Sequence, residues 1–391
     1  MKRRDTLKIL ASLPMIGWAQ TQNGFAATND KPAIKKARNL ILISADGMGA
    51  CQWQAPGIIR KSPLSVFGME HCCLVDTLPL NKINGDAPSH CTALGSGVAT
   101  NSGFVGLDPN GKPVKNLMEY AKEWGMARGI VSANSLVEGS IVPFVAHVRN
   151  RMMVEPITAA YVEDEFDVVL GAGKNYFTHK VTMDAPQTGV ACEDDSTANL
   201  SPRQDGRNLI DELKQKGYAI EEGMDNIMRS NAKRLFGFSA PMTLPNLMQG
   251  RTEDVFVNLT EKALELLGAH SNGFMLMIGD MYVDRASHDG NLDLLCKEAL
   301  NLDQVVRLAL DFAKKDGNTL VVVVGTPEAS GMTLTHGNPS EGKVEAKWNE
   351  PGMIHTGIMV PCFAQGPGAE HFKGSVCNHE LFPILMKALE K

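Results

Sequence analysis

The sequence predicts an α/β protein, a three-layer α/β/α sandwich around a mostly parallel central sheet. Near-continuous apolar runs at Asn39–Ala45, Gly273–Asp280 and Thr319–Val324 have the composition of strands buried on both faces. Amphipathic helical patterns, chiefly Thr252–Gly268 and Leu292–Lys315, separate them. Strands alternating with helices fold into a parallel sheet covered on both sides.

The run NLILISADGMG, Asn39 to Gly49, comes first. Its apolar residues give a central strand, and the glycines after Asp46 turn the chain just past the strand's carboxyl end. Ligands and metals collect at that edge of an open α/β sheet. Asp46 is read either as a metal ligand there or as a cap on the next helix. Cys72–Leu78 reads as a strand and Asn81–Asp86 as a loop. Pro88 and the residues after it start a helix near Asp86 or Ala87, and its free N–H groups favour anions. Asn116–Glu123 is an amphipathic helix, the chain returns to the sheet at Arg128, and Asp164–Gly173 is a strand and turn. Over about 176–250 the hydrophobic period weakens, which predicts a polar cap or insertion. The two later runs continue the sheet, followed by His355-Thr356-Gly357, a strand through Phe363 and a last helix.

The chain has 391 residues, 43% hydrophobic and 21% charged, enough for one large α/β domain over 28–391. A net charge of -6, with no basic run beyond the amino terminus, leaves no footprint for nucleic acid. Residues 1–27 read as an export signal: Lys2-Arg3-Arg4, a short apolar stretch from Ile9 to Trp18, and small residues at Ala26-Ala27. The paired arginines suggest the twin-arginine type. Removing the segment takes the net charge to -9, and no later stretch qualifies as a membrane helix, so the expectation is a periplasmic protein with no membrane partner. Eight scattered cysteines show no CxxC or Cys/His zinc pattern; one or two bridges are open and their pairing is not legible.

Acids and histidines recur at predicted strand ends: Asp46, Asp284, His288 and His355. Asp284 and His288 are one helical turn apart and can face one ion. Two aspartates and two histidines suit Zn2+.

The sequence resembles the alkaline phosphatase family over nearly the whole mature chain. The resemblance rests on NLILISADGMG, TALGSGVATNSGFVGLDPNGKPV, EGSIVPFVAHVRNR, DVVLGAGKNYF, DMYVDRASHDGN and HTGIMVPCFAQGPGAEHFKG. It implies a phosphomonoesterase with two Zn2+ and one Mg2+, often dimeric, in which a serine at a helix start attacks phosphorus. Paired metals about 4 Å apart clamp the attacking and leaving oxygens. By this resemblance Asp284, His288 and His355 form the first zinc site, Asp46 serves the second zinc and the magnesium, and Arg151 binds phosphate. Glu138 and Ser140 fall at further magnesium positions.

The departures from the family are as informative. The nucleophile position holds Ala87, and the Asp-His pair expected after the third run is Pro327 and Glu328. The magnesium-site glutamate is Gly279, with Asp280 one place along. Glu328 is the candidate substitute at the second zinc and Asp280 at the magnesium. Ser89 points roughly 200° round the helix from Ala87. Asp86, in DAPSH, has the spacing of the sulfatase-type C-x-P-S-R signature, leaving it as helix cap, metal ligand or nucleophile. His90 and His336 are acid/base candidates by chemistry alone. The functional expectation is a periplasmic metal-dependent hydrolase of a phosphate ester or related small anionic ester, with an altered site and weak ordinary phosphatase activity. The alternatives are a single-zinc lyase or epimerase, and an anion-binding pseudoenzyme.

Overall fold

A computed structural model describes residues 35–178, 203–349, 352 and 354–389. The expected export signal lies outside them. Strand β1 (Asn39–Gly47) is buried along its whole length. Leu40 and Leu42 enter one apolar layer, while Ile41, Ile43 and Ala45 enter the other. That alternation is the period of two of a strand covered on both faces.

The first half continues through α1 (Ala50–Arg60), β2 (His71–Asp76), α2 (Ala87–Ser96), α3 (Leu117–Glu123), β3 (Ala127–Ser135), α4 (Val154–Asp164) and β4 (Val168–Ala172). Next come α5 (Leu209–Gln215), β5 (Ala219–Glu222), α6 (Met224–Arg229), β6 (Leu235–Phe238), α7 (Asp254–Gly268) and β7 (Phe274–Asp280). The chain closes with α8 (Tyr282–His288), α9 (Leu292–Asp316), β8 (Thr319–Glu328), β9 (Met332–Asn338), β10 (Lys343–Trp348), β11 (Val360–Gln365), β12 (Gly374–Cys377) and α10 (Leu381–Leu389).

Ten strands form one sheet in the order β12-β2-β11-β8-β1-β7-β3-β4-β6-β5, and β9 and β10 form a separate hairpin. Every pairing in the large sheet is parallel except those of β11, which runs antiparallel to β2 and β8. Helices α2, α3, α4, α5 and α10 pack on one face, and α1, α6, α7, α8 and α9 on the other. This is the expected three-layer sandwich. No helix among the described residues is long and apolar enough to cross a membrane.

The stretch expected as a cap behaves differently where it is described. From 203 onward it extends the main sheet, with β6 pairing β4 and β5 pairing β6. Leu213, Leu235, Phe236 and Phe238 are buried there. The period is weak because both strands are four residues long and half of β5, at the sheet's edge, is acidic. Residues 179–202 of the expected cap lie outside the described residues.

Candidate metal centre

The parallel strands deliver their carboxyl ends to one edge, and the turns there carry the acids and histidines. Asp46 ends β1, and Gly47 turns the chain at φ +73°. A side chain on Gly47 would start 2.5 Å from the Asp284 Cα. That glycine is therefore required by both its left-handed backbone and the approach of α8.

Asp284, His288 and His355 converge, with one ligand atom from each lying within 4.8 Å of the others. The Asp284 Oδ1 is 3.1 Å from His355 Nε2 and 3.2 Å from His288 Nε2. The His288 Nδ1–H donates to the Gly352 carbonyl at 2.6 Å, with Ser330 Oγ 3.1 Å away. This bond fixes the tautomer and turns the Nε2 lone pair toward Asp284. His288 Nε2 is buried without a hydrogen-bond partner. Burial opposes ionisation of Asp284, but the His288 and His355 rings outweigh it and hold the carboxyl below its ordinary range. Burial also opposes protonation of His355, yet the Asp284 hydrogen bond and charge prevail and push it up to about 9. Two imidazole nitrogens, one of them buried and without a hydrogen-bond partner, and a carboxylate oxygen fit a zinc-type ion.

A second cluster adjoins it. Asp46 accepts a hydrogen bond from Thr326, while Glu138 accepts from Ser140 and, at 2.9 Å, from Ser132. Burial pushes Asp46 up to about 7, with the Asp284 charge adding to it. Burial likewise pushes Glu138 up to about 8, and Asp46 repels it further. Mutually repelling buried carboxylates with hydroxyl oxygens beside them fit a hard cation. A Cβ at Gly279 would lie 2.5 Å from Glu138 Oε1 and 2.9 Å from Ser140 Oγ. The glycine on β7 is thus the space that Glu138 fills from the β3 side.

Two sequence candidates do not join these clusters. Asp280 follows Gly279 on β7, so strand alternation aims it at the opposite face. It accepts from Tyr282 N at 2.9 Å and is drawn toward ionisation by Arg251, although burial pushes it up to about 6. Arg251 itself pairs with Glu298 and sits over the Tyr282 ring. Glu328 is buried, and protein donors occupy both of its oxygens. Oε1 accepts from Gln52 Nε2 at 2.5 Å and Met332 N at 3.0 Å; Oε2 accepts from Gly331 N at 3.1 Å and Thr356 Oγ1 at 2.5 Å. A carboxylate offers about four acceptor directions, and here all are used. It clamps the β8–β9 turn to the His355 segment and leaves no oxygen open for zinc.

The start of α2 completes the site. Ala87 is its first residue, and Asp86 is its N-cap. Asp86 Oδ1 accepts from Ser89 N at 2.8 Å, and Oδ2 accepts from Ser102 Oγ and Gly103 N, each at 2.6 Å. Among its three sequence readings the structure places Asp86 as a cap that also anchors the 102–103 turn. Ser89 Oγ bonds back to the Asp86 carbonyl at 3.2 Å. Arg151 has no carboxylate partner among the described residues. Its Nη1 and the Pro88 Cδ lie on either side of Gly139, each 3.2 Å from where a Cβ would sit. Its charge favours the ionised form of Asp46. Pro327 lies against Gly85, 3.1 Å from the Cβ position. His336 sits on the exposed β9, and His90 is fully buried within α2.

Thr326, Ser132, Ser330 and Gly352 escaped the sequence reading. Each touches a site group only through tertiary contact, and no spacing announces it.

A family model described as alkaline phosphatase matches residues 37–344. Alkaline phosphatase 4 of Bacillus subtilis (strain 168) is 25% identical, with 95% of this chain and 92% of that protein covered. The structure of the alkaline phosphatase from the Antarctic bacterium TAB5 superposes with a TM-score of 0.77 at 25% identity, covering 91% of this chain and 99% of that one. A histidine-to-glutamate mutant of the TAB5 enzyme, with Mg bound in its M3 site, matches at a TM-score of 0.78, 25% identity and the same coverage. The chain belongs to the alkaline phosphatase family, with the fold of a metal-dependent phosphatase-like hydrolase and a cluster of side chains able to hold a metal ion.

Proposed function

We propose that the protein hydrolyses a small phosphate ester, or a related anionic ester, with one fully built zinc site and no covalent serine step. The observation that carries this reading is the Asp284–His288–His355 cluster at the same sheet edge as Arg151 and the start of α2. Zn2+ bound there supplies Lewis-acid stabilisation of an ester oxygen. Arg151, free of any carboxylate partner among the described residues, binds and orients the anion. Gly352 holds the His288 ring in register, and Glu328 holds the segment that carries His355. Ala87 has no hydroxyl, so water takes the place of a protein nucleophile. Glu138, Ser140 and Asp46 are the residues for Mg2+. A second zinc site lacks ligands, because Pro327 is apolar and Glu328 is already satisfied.

Those two features also favour a second reading, capture of an anion without turnover. Hydrolysis of an aryl phosphate by the zinc- and magnesium-supplied chain, with Asp284→Ala as the blank, separates the two. Turnover lost in Asp284→Ala supports the hydrolase. Phosphate binding without turnover supports capture. Restoring the hydroxyl by Ala87→Ser is expected to raise activity less than tenfold, since one zinc site is still incomplete.

The reading includes periplasmic export by residues 1–27, supported by their charge and apolar pattern. It also includes a homodimer, supported by the exposed apolar side chains Leu78, Leu80, Ile83 and Ile358, of which Leu78 and Ile83 lie against Gly357 near His355.

A further inference from the structure

Cys73 on β2 and Cys362 on β11 are direct partners in an antiparallel pair. Opposed residues in such a pair project from the same face of the sheet, with Cα atoms about 4.5–5.5 Å apart. That spacing falls within the roughly 4.4–6.8 Å that a disulfide spans. Both side chains are buried, 2% and 0% exposed, in the apolar layer that also holds Val75, Val324, Val360 and Ala364. Cys72 lies one residue away on the opposite face, opposed to Phe363, and Cys377 pairs in register with Asp76. Among the described cysteines only Cys73 and Cys362 face each other across a ladder.

We propose that Cys73 and Cys362 form a cross-strand disulfide that locks β2 to β11 when the chain meets a disulfide oxidant. The Cys73 thiolate, having lost its proton, attacks one sulfur of a low-molecular-weight or protein disulfide and expels a thiolate. Cys362 then loses its proton and attacks the Cys73 sulfur, expelling the second thiolate. Two protein thiols and one external disulfide become one cystine and two external thiols. The contact between the two sulfurs pulls the Cys73 thiol below its ordinary value, while the same contact and burial raise Cys362. Closure occurs while β2 is still opening and closing on β11, since both sulfurs are covered in the folded sheet.

The bond would brace the site. β2 leads through residues 77–85 into Asp86 and α2, and the segment carrying His355 leads into β11. The lock therefore joins the strand that leads to the start of α2 to the strand that follows His355.

The test uses the full 391-residue chain, refolded with oxidised glutathione or kept in a reductant, then alkylated and digested with trypsin without reduction. The expected product is a linked pair of peptides, 62–82 and 348–373. It should persist in Cys72→Ser and vanish in Cys73→Ala. The oxidised chain should melt about 5 °C above the reduced one. Cys73→Ala/Cys362→Val, checked for native circular dichroism, should erase that difference. Separate, fully alkylated peptides after oxidation overturn the proposal. So does a link that runs through Cys72, or an oxidised form that melts no higher than the reduced one.

Discussion

At the scale of single residues, two buried side chains make opposite demands on solvent. Glu328 receives four donors from three different parts of the chain, so its loss strands buried N–H groups rather than removing a ligand. Glu328→Ala is expected to cost about 3 kcal/mol in urea unfolding and to leave zinc stoichiometry unchanged once the protein is folded. A fall in bound zinc with full stability would show instead that Glu328 is a ligand. His90 has both ring nitrogens buried without partners, and burial drives it down to about 4 from its ordinary 6.5. A depressed histidine binds more protons unfolded than folded, so its contribution is present above pH 6.5 and is lost as pH falls toward 4. Relative to wild type, His90→Leu should gain on the order of 3 kcal/mol across that window. Unfolding curves at stepped pH that stay parallel for the two proteins would refute it.

At the scale of elements, the turns after strands decide more than the strands do. β1 would form with many apolar sequences, but the step from Asp46 into α1 needs Gly47 at φ +73°, with α8 pressed against it. Gly47→Ala adds a methyl against the Asp284 backbone and strains a left-handed residue. The expected cost is about 2–3 kcal/mol, with zinc affinity falling at least tenfold as Asp284 is displaced. Isothermal titration of zinc and thermal melting read the two effects separately. The same logic explains Gly279: strand alternation, together with the space it frees, let Glu138 reach across from β3. The period of two also sent Asp280 toward Arg251 and Tyr282, where a linear motif comparison had placed it near magnesium.

At the scale of the whole molecule, the sheet's carboxyl edge carries charge and the candidate metal ligands, and an apolar margin, with Leu78 and Ile83 against Gly357, adjoins it. Ile83 is 77% exposed, Leu80 61% and Ile358 53%, a concentration that a water-facing surface leaves unexplained. If two copies cover this margin, Ile83→Asp with Leu80→Asp should shift the sedimenting species from dimer to monomer. A wild-type chain that sediments as a monomer at micromolar concentration removes the basis for that pairing. The order of strands likewise gives β2 and β11, rather than the central strands, the task of linking the helix-start wall to the His355 wall.

Sequence alone determined the layered fold, because long apolar runs interleaved with amphipathic helices have few other ways to bury both faces. It also singled out Asp284, His288 and His355, which the fold brings together as a cluster able to hold a metal ion, since Asp284 and His288 fall one turn apart and the motif around His355 is distinctive. That Ala87, a residue without a hydroxyl, stands at the start of α2 was equally plain. Tertiary structure decided which way each remaining acid faces. Asp86, Asp280 and Glu328 look alike in a linear chain: each is a carboxylate near the right edge. Their roles as cap, opposite-face partner and four-donor clamp depend on which N–H and O–H groups arrive from distant segments, and no local spacing encodes those arrivals.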